Sequence, residues 1–170
     1  MDELRATLST NIPTAMGRRA RAAVRNAAVA AADYHWRKNI PKHFRNGNAT
    51  RYGFKPRSRS YQKLKKLLGK GGTPLVFSGT TEKEVTGSRT IRATGTKGAK
   101  LLMSASFPGF SGRFRMKAGQ RFLTQKQQLQ LARVKEIEAI RADELDELVG
   151  IEEAQYAKDM ATKGPIRRLI

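Results

Sequence analysis

The sequence has 170 residues and a mass of 18.9 kDa, which is the size of one ordinary domain. It carries 34 Lys and Arg against 14 Asp and Glu, for a formal charge of +20, and 39% of its residues are hydrophobic, which is enough for a modest core. Because it contains no cysteine and no run of about 18 uncharged apolar residues, it excludes a disulfide scaffold, a thiol nucleophile, a zinc–thiolate site, an iron–sulfur cluster and a membrane-spanning helix.

The positive charge is concentrated in the first three quarters of the chain. Residues 1–132 hold 27 basic and 5 acidic side chains, whereas residues 133–170 hold 7 basic and 9 acidic ones. Like charges at this density repel one another, so we expect a polyanion, an acidic protein surface, or both as partners. A further alternative stays open, in which the acidic C-terminal part of one copy meets the basic body of the next.

Residues 1–12 form an opening segment for which the sequence predicts no element. A long amphipathic helix is predicted from Thr14 to about Lys38, with Pro13 and the nearby Asn11 at its start and Pro41 beyond its end. Its apolar stripe consists of residues at helical spacing: Met16, Ala20, Ala23, Ala27, Ala30 and Tyr34.

Residues 45–60 are predicted to form a basic loop that contains Gly, Pro, Asn and Ser, and a short helix is predicted to follow from Tyr61 to Leu68. Ser58 or Ser60 is expected to cap this helix, and Gly69 begins the run of glycines that ends it. Its expected apolar side consists of Tyr61, Leu64 and Leu68. Residues 74–77 then give a short strand signal.

Strand-like patterns follow from Glu82 to Ala105, with Val85, Ile91, Ala93 and residues 101–103 as the apolar positions. They predict two or three antiparallel strands, and residues 107–112 read as another loop. A Gln-rich patch at 125–130 leads into residues 131–140, of which residues 135–140 fit either the end of a strand or the start of a helix.

The last predicted helix opens at Arg141 or Asp143 and continues to about Ala161. Its expected lining residues are Leu145, Leu148, Val149 and Ala154. Its first turns carry four acids, which gain from the helix dipole or form a docking face for a basic neighbour: Asp143, Glu144, Asp146 and Glu147.

Motifs for catalysis are not found. His35 and His43 are the only histidines, and no carboxylate stands beside them at a useful spacing, so we expect packing or surface roles. Residues 109–112 lack the spacing of a nucleophile elbow, and residues 69–73 lack the gap and residue order of a phosphate-binding loop. The sequence therefore predicts a protein that is not an enzyme and has no cofactor and no catalytic or metal site.

The basic loop intersperses aromatic rings with cations, a pattern typical of surfaces that bind single-stranded nucleic acid or a phosphate backbone. Tyr, Phe and Arg are also favoured as anchors between subunits, so both interpretations stay open. The candidate contacts for an interface or a polyanion are Arg51, Tyr52, Phe54, Lys55, Arg57 and Arg59, together with Arg113 and Arg115.

One segment has a recognisable order: Arg51-Tyr-Gly-Phe-Lys-Pro-Arg-Ser-Arg-Ser-Tyr61, a short Lys/Leu helix, then Gly72-Thr-Pro-Leu-Val-Phe-Ser-Gly79. This order resembles the tailed-bacteriophage virion-morphogenesis proteins of the neck and tail-completion group. In that family a Tyr-Gly-aromatic loop and a short helix precede a Pro-Leu-Val-x-Ser/Thr-Gly turn and an antiparallel sheet. The order of the predicted elements resembles that family over most of the chain, and the amino-acid sequence itself resembles it over residues 51–79.

The resemblance implies a structural virion protein with a single α+β domain over residues 1–163 and a C-terminal tail over 164–170. An antiparallel sheet is expected to pack against a long N-terminal helix and a C-terminal helix, with the basic loop as an insertion. Such subunits form homo-oligomeric rings at the head–tail junction, as neck, tail-terminator or tail-completion proteins.

The resemblance implies that the partners are connector or portal-side proteins and tail-tube proteins, and that the subunit contacts packaged DNA. No membrane partner and no small-molecule substrate are expected. The protein would occupy the virion, and the host cytoplasm during assembly. Residues 37–70 and 89–121 would face DNA or an acidic neighbour, and helix 143–159 would pack on the body or on an adjacent copy. The alternative function is a non-enzymatic, basic nucleic-acid-binding protein.

Overall fold

The structure is a computed structural model that describes residues 2–8, 17–45, 48–54, 57–69, 80–87, 89–94, 98–105, 125–162, 165–166 and 169. Its fold is α+β, with a long helix in the N-terminal part and another at the C-terminal end, which confirms the predicted fold class. The elements in chain order are β1 (Asp2–Leu8), α1 (Arg18–Tyr34), a π-helical turn (His35–Asn39), a 3-10 helix (Ile40–Phe44), α2 (Asn48–Arg51), α3 (Arg59–Leu67), α4 (Thr80–Gly87), β2 (Arg89–Ala93), β3 (Ala99–Ala105), α5 (Gln125–Glu138) and α6 (Ala142–Ala161).

The sheet has three strands in the order β1-β3-β2. The link of five residues between β2 and β3 is too short for a parallel crossover, so these strands form an antiparallel hairpin. The backbone N–H and the hydroxyl of Thr94 both donate to the Gly98 carbonyl oxygen, over 2.8 and 3.0 Å. The hairpin predicted around Ile91 and residues 101–103 is confirmed, whereas β1 falls in the opening segment, for which no element is predicted.

The chain divides into two compact units, each assembled from separate stretches of sequence. The first comprises residues 1–4, 40–89 and 103–139, and the second comprises residues 5–39, 90–102 and 140–170. The first unit therefore contains α2, α3, α4 and α5, and the second contains α1 and α6.

In the second unit, α1 packs along α6. The buried side of α1 is dominated by alanine, and because this side chain is short, a neighbouring helix approaches closely. Ala20, Ala30 and Tyr34 of the predicted stripe are only half-buried. The buried positions are Ala23, Asn26, Ala27, Ala28, Val29, Ala31 and Ala32.

Polar contacts join α1 to α6 through Asn26, which is buried among the alanines. Its amide nitrogen donates to Asp159 Oδ2 over 2.7 Å, and its amide oxygen accepts from the Leu169 backbone N–H over 3.2 Å. Gln155 donates to the other oxygen of Asp159 over 2.9 Å. Both polar ends of a buried side chain are therefore satisfied, as burial of an amide requires.

Arg19, near the start of α1, holds the end of α6. Its guanidinium donates to the main-chain oxygens of Asp159 and Met160, each over 3.2 Å, and to that of Thr162. The last carbonyls of a helix have no partner within the helix, and a cation there also matches the helix dipole. The two helices consequently run antiparallel.

The bounds predicted for α6 are confirmed, but the predicted lining is mostly wrong. Of the four expected lining residues only Leu148 is buried, and the other buried residue of α6 is Glu144. Glu144 Oε2 accepts the backbone N–H of Arg141 over 3.3 Å, which satisfies a donor at the helix start. A capping carboxylate therefore lies on the face that the sequence assigns to apolar side chains.

The regular part of α1 ends at Tyr34, and the chain continues through the π-helical turn into the 3-10 helix that contains Pro41. The prediction that the long helix ends before Pro41 is confirmed, since proline has no N–H to continue the hydrogen-bond ladder. The predicted start at Thr14, with Pro13 and Asn11, lies outside the described residues.

In the first unit, the 3-10 helix contacts α2, α4 and α5. Ile40 and Phe44 of the 3-10 helix are buried, as is Ile137 of α5. Val85 is buried too, but it lies in α4, so its prediction as a strand residue is wrong. Thr81 and Val85 are both buried and lie four residues apart, which is the spacing of one face of a helix. Because Thr81 is polar, this spacing does not show in the pattern of apolar residues.

Residues 135–140, predicted as either the end of a strand or the start of a helix, are helical through Glu138, where they form the end of α5. The Gln-rich patch belongs to the same helix, α5. The strand predicted at 74–77 and the loop at 107–112 lie outside the described residues.

Candidate functional site

The predicted contact residues fall into three groups. Arg51 and Arg59 are exposed, whereas Tyr52, Phe54 and Arg57 are half-buried. Lys55, Arg113 and Arg115 lie outside the described residues. The described part of the basic loop therefore has both exposed side chains and half-buried ones.

Helix α3 is positioned by its own start and stop signals. Ser58 is the N-cap, and its hydroxyl oxygen accepts a hydrogen bond from the Tyr61 backbone N–H over 3.3 Å. Of the two predicted capping residues, Ser58 and Ser60, the structure thus has Ser58 in this role. Gln62 donates from its side chain to the Arg57 carbonyl oxygen over 2.7 Å. Gly69 has φ +64°, the left-handed conformation that closes a helix, and this confirms the predicted end.

An ion pair fixes the residue that precedes this cap. The Arg57 guanidinium donates to Glu136 Oε2 of α5 over 2.5 Å. The Glu136 side chain is 2% exposed and that of Arg57 is 27% exposed. Hydrogen bonds between charged partners are stronger than those between neutral ones, so Arg57 ties the start of α3 to α5.

The surroundings of Glu136 are basic, and yet burial dominates its ionisation. Burial raises the pKa of the Glu136 carboxyl, and the nearby cations Arg57 and Arg133 only partly offset this effect. Burial likewise lowers the pKa of Arg133, with Arg57 adding to the decrease and Tyr61 and Glu136 opposing it. The ion pair is therefore held at a real cost in lost hydration.

Lys65 occupies the buried side of α3, where the sequence predicts apolar residues. It is 4% exposed, and its ammonium lies 5.9 Å from the ring centroid of Tyr61. Burial lowers the pKa of Lys65, and the charge of Arg57 lowers it further. The predicted apolar side of α3 is wrong at two positions, because Leu64 and Leu68 are exposed.

Tyr52 is engaged within its own chain. Its ring stacks on the buried His43 ring with centroids 3.9 Å apart and planes 17° apart. Gly53 follows with φ +76°, and its N–H donates to the Thr50 carbonyl oxygen over 3.0 Å, which turns the chain directly after α2. Stacking thus anchors the basic loop to the 3-10 helix.

The outward side of α3 combines positive charge with exposed apolar surface. The exposed cations are Arg59, Lys63 and Lys66. Three leucines are exposed beside them: Leu64, Leu67 and Leu68, with Leu67 84% exposed. We call these six residues the α3 surface. Its chemistry suits binding to an acidic partner that also offers apolar side chains.

The outward side of α6, within the second unit, has the opposite charge. Asp143, Asp146, Glu147 and Glu153 are exposed there. Leu145 and Val149 are each about half exposed, at 49% and 46%. Glu152, half-buried next to them, has its pKa raised by burial.

The histidines are buried, His35 in the π-helical turn and His43 against Tyr52. Within the described part of the chain, no three His, Asp or Glu side chains come together in a group that suits a metal ion. Among the same residues no helix is both long and apolar enough to cross a membrane.

Sequence reasoning missed Lys65, Arg133 and Glu136 as members of this site. Glu136 does have a signal, because it is the first acid after Glu84 in a strongly basic chain. A lone carboxylate among so many cations attracts one of them, and a buried one requires it. Lys65 has no such signal, since lysine is rarely buried.

Comparisons with protein-family models, with curated proteins and with solved structures find no significant match to this chain.

Proposed function

We propose that this chain is a structural subunit of the head–tail junction of a tailed bacteriophage, as a neck, tail-terminator or tail-completion protein. It works by self-association into a ring and by docking on connector-side and tail-tube proteins, without catalysis. The proposal depends on one observation about residues 51–67, namely that some of their side chains hold the segment in place while others are exposed. Arg57 and Tyr52 hold this segment in place, and Lys65 is buried, while Arg51 and the α3 surface stay exposed.

The order of elements supports the same proposal. A long helix, a Tyr-Gly-Phe loop, a short helix, a hairpin and a final helix occur in this order along the chain, with α4 before the hairpin and α5 after it. This is the order that the resemblance to the virion-morphogenesis proteins implies. The resemblance in wording at residues 51–61 coincides with the loop and the helix that present the exposed cations.

A non-enzymatic nucleic-acid-binding protein is the second candidate, because the same exposed cations suit a phosphate backbone. The two candidate functions differ in how salt concentration affects binding and assembly. A protein bound mainly through phosphates loses affinity with a log–log slope of about −0.9 per phosphate neutralised. A ring subunit forms discrete oligomers with or without DNA.

The test pairs sedimentation velocity with an assembly assay. The wild-type chain is expected to form a discrete oligomer without DNA, and the double variant Arg51→Glu/Arg59→Glu is expected to stay folded and to reduce the yield of tailed particles. Lys83→Glu/Arg92→Glu is the matched control, since it makes the same charge change at exposed positions of α4 and β2. Normal particle yield with the first variant, or a monomer that only binds DNA, contradicts the proposal.

A further inference from the structure

Exposed leucines on α3 form one continuous patch. Leu64, Leu67 and Leu68 are spaced by three and four residues, so they lie on one side of the helix. Single exposed leucines are ordinary, but a contiguous apolar patch marks a surface that another molecule covers. Lys63 is one turn before Leu67, so it borders the patch, and Lys66 is one turn after Lys63, so the two cations form a row beside the leucines.

Helix α6 carries an exposed apolar patch bordered by the opposite charge. Leu145 and Val149 are one turn apart and exposed, with Met160 exposed further along the helix. Asp146 and Glu153 are two turns apart and run beside them, both exposed. The opposite side of α6, with Leu148 and Glu144, is the buried one, so the patch faces away from the residues that α6 buries.

We propose that α3 of one copy docks on α6 of a second copy. In this contact Leu64, Leu67 and Leu68 cover Leu145 and Val149, and the two lysines 63 and 66 face Asp146 and Glu153. The inference rests on the proposed self-association and names the two surfaces that produce it. Charge complementarity selects this partner, because each copy supplies both a basic and an acidic apolar patch.

Nucleic acid bound to α3 would account for fewer of the exposed residues than a second copy does. A phosphate backbone pairs with the lysines, but it leaves the three leucines in water and gives α6 no partner. A second copy removes the apolar area of both patches from water, which is the dominant favourable term in most protein association. It also relieves the self-repulsion of a chain with a charge of +20 by placing acids against cations.

The symmetry of this contact has a structural consequence. The two patches differ, so the interface is heterologous, and a pair of copies keeps one free α3 patch and one free α6 patch for further neighbours. Heterologous contacts close into a ring when the rotation between neighbours permits it, and otherwise propagate as a filament. A closed ring is the arrangement that the proposed junction protein needs.

Charge-reversal variants test the pairing by sedimentation velocity, with circular dichroism to verify folding. Lys63→Glu/Lys66→Glu reverses the α3 patch, and Asp146→Lys/Glu153→Lys reverses the α6 patch. Each variant alone is expected to associate about tenfold or more weakly than wild type. An equimolar mixture is expected to recover association, since the reversed α3 of the first variant then meets the reversed α6 of the second.

The control is Lys83→Glu/Arg92→Glu, which is expected to associate as wild type does. Weak association of both variants with no recovery in the mixture overturns the docking. Wild-type oligomers that neither reversal weakens also overturn it, while the proposed self-association survives. A wild-type monomer at every concentration overturns both. If the reversal on α3 lowers only DNA affinity, the patch takes nucleic acid and the proposal is wrong.

Discussion

The carboxylate of Glu136 lies 2.5 Å from the guanidinium of Arg57, 79 positions earlier in the chain. Through this pair Arg57, a residue of the basic loop that is predicted to contact a partner, ties the loop to α5. The positive charge of the loop and of α3 is therefore divided between inward and outward side chains. Arg57 and Lys65 are directed inward, whereas Arg51, Arg59, Lys63 and Lys66 are exposed.

Loss of Arg57 is expected to destabilise the protein. Arg57→Ala leaves the Glu136 carboxylate buried without its ion-pair partner, and we expect the free energy of unfolding to fall by about 3 kcal/mol. Urea denaturation measures the change. Arg59→Ala, two residues away and exposed, is the control and is expected to change stability by less than about 0.5 kcal/mol. Equal effects of the two substitutions would contradict a structural role for the pair.

Glu136 is expected to make stability depend on pH. Because burial raises its pKa in the folded state, the folded chain keeps this proton to higher pH than the unfolded chain does. Its contribution to stability is present below the unfolded-state pKa and is lost as the pH rises through the folded-state pKa. The unfolding free energy of wild type relative to Glu136→Gln is therefore expected to decrease as the pH rises above the ordinary glutamate pKa of about 4. A difference that stays constant or increases would refute this.

Removal of the Lys65 charge is expected to stabilise the first unit. The surroundings of Lys65 disfavour its charged form, as the lowered pKa shows. Lys65→Met keeps most of the aliphatic stem and removes the ammonium, so we expect a gain of about 1 kcal/mol in unfolding free energy near neutral pH. Lys63→Met on the exposed side is the matched control. Destabilisation by Lys65→Met in thermal or urea unfolding would show that the ammonium makes a net favourable contact.

The Asn26 side chain is expected to be important for the α1–α6 pair. Asn26→Ala removes the partner of Asp159 Oδ2 and of the Leu169 N–H, so we expect a loss of about 1–3 kcal/mol. The control Arg18→Ala is exposed near the start of the same helix and is expected to have little effect. Hydrogen exchange of the α6 amides reports the change locally, and unaltered protection would contradict the assignment.

Local signals in the sequence predicted much of the fold. Ser58 and Gly69 delimit α3, Arg141 and Ala161 delimit α6, and the alternating pattern around Ile91 locates the hairpin. Each of these features depends on residues within one or two turns of one another, which is the range over which capping and periodicity act.

The features that sequence reasoning missed depend on distant partners. Strand β1 pairs with β3, almost a hundred residues later, and nothing in its own composition predicts that pairing. The buried side of α3 follows from Arg57 and Glu136, not from its leucines, so the apolar spacing locates the exposed patch instead of the core. Asn26 and Asp159 are 133 positions apart, and the alanine stripe gives no sign of them.

Negative-stain electron microscopy of the purified wild-type chain at low salt, without DNA, shows whether copies of the chain form a ring through α3 and α6. We expect closed rings of uniform diameter that are absent from Lys63→Glu/Lys66→Glu and return when that variant is mixed with Asp146→Lys/Glu153→Lys. Solitary particles of monomer size at every concentration would contradict it.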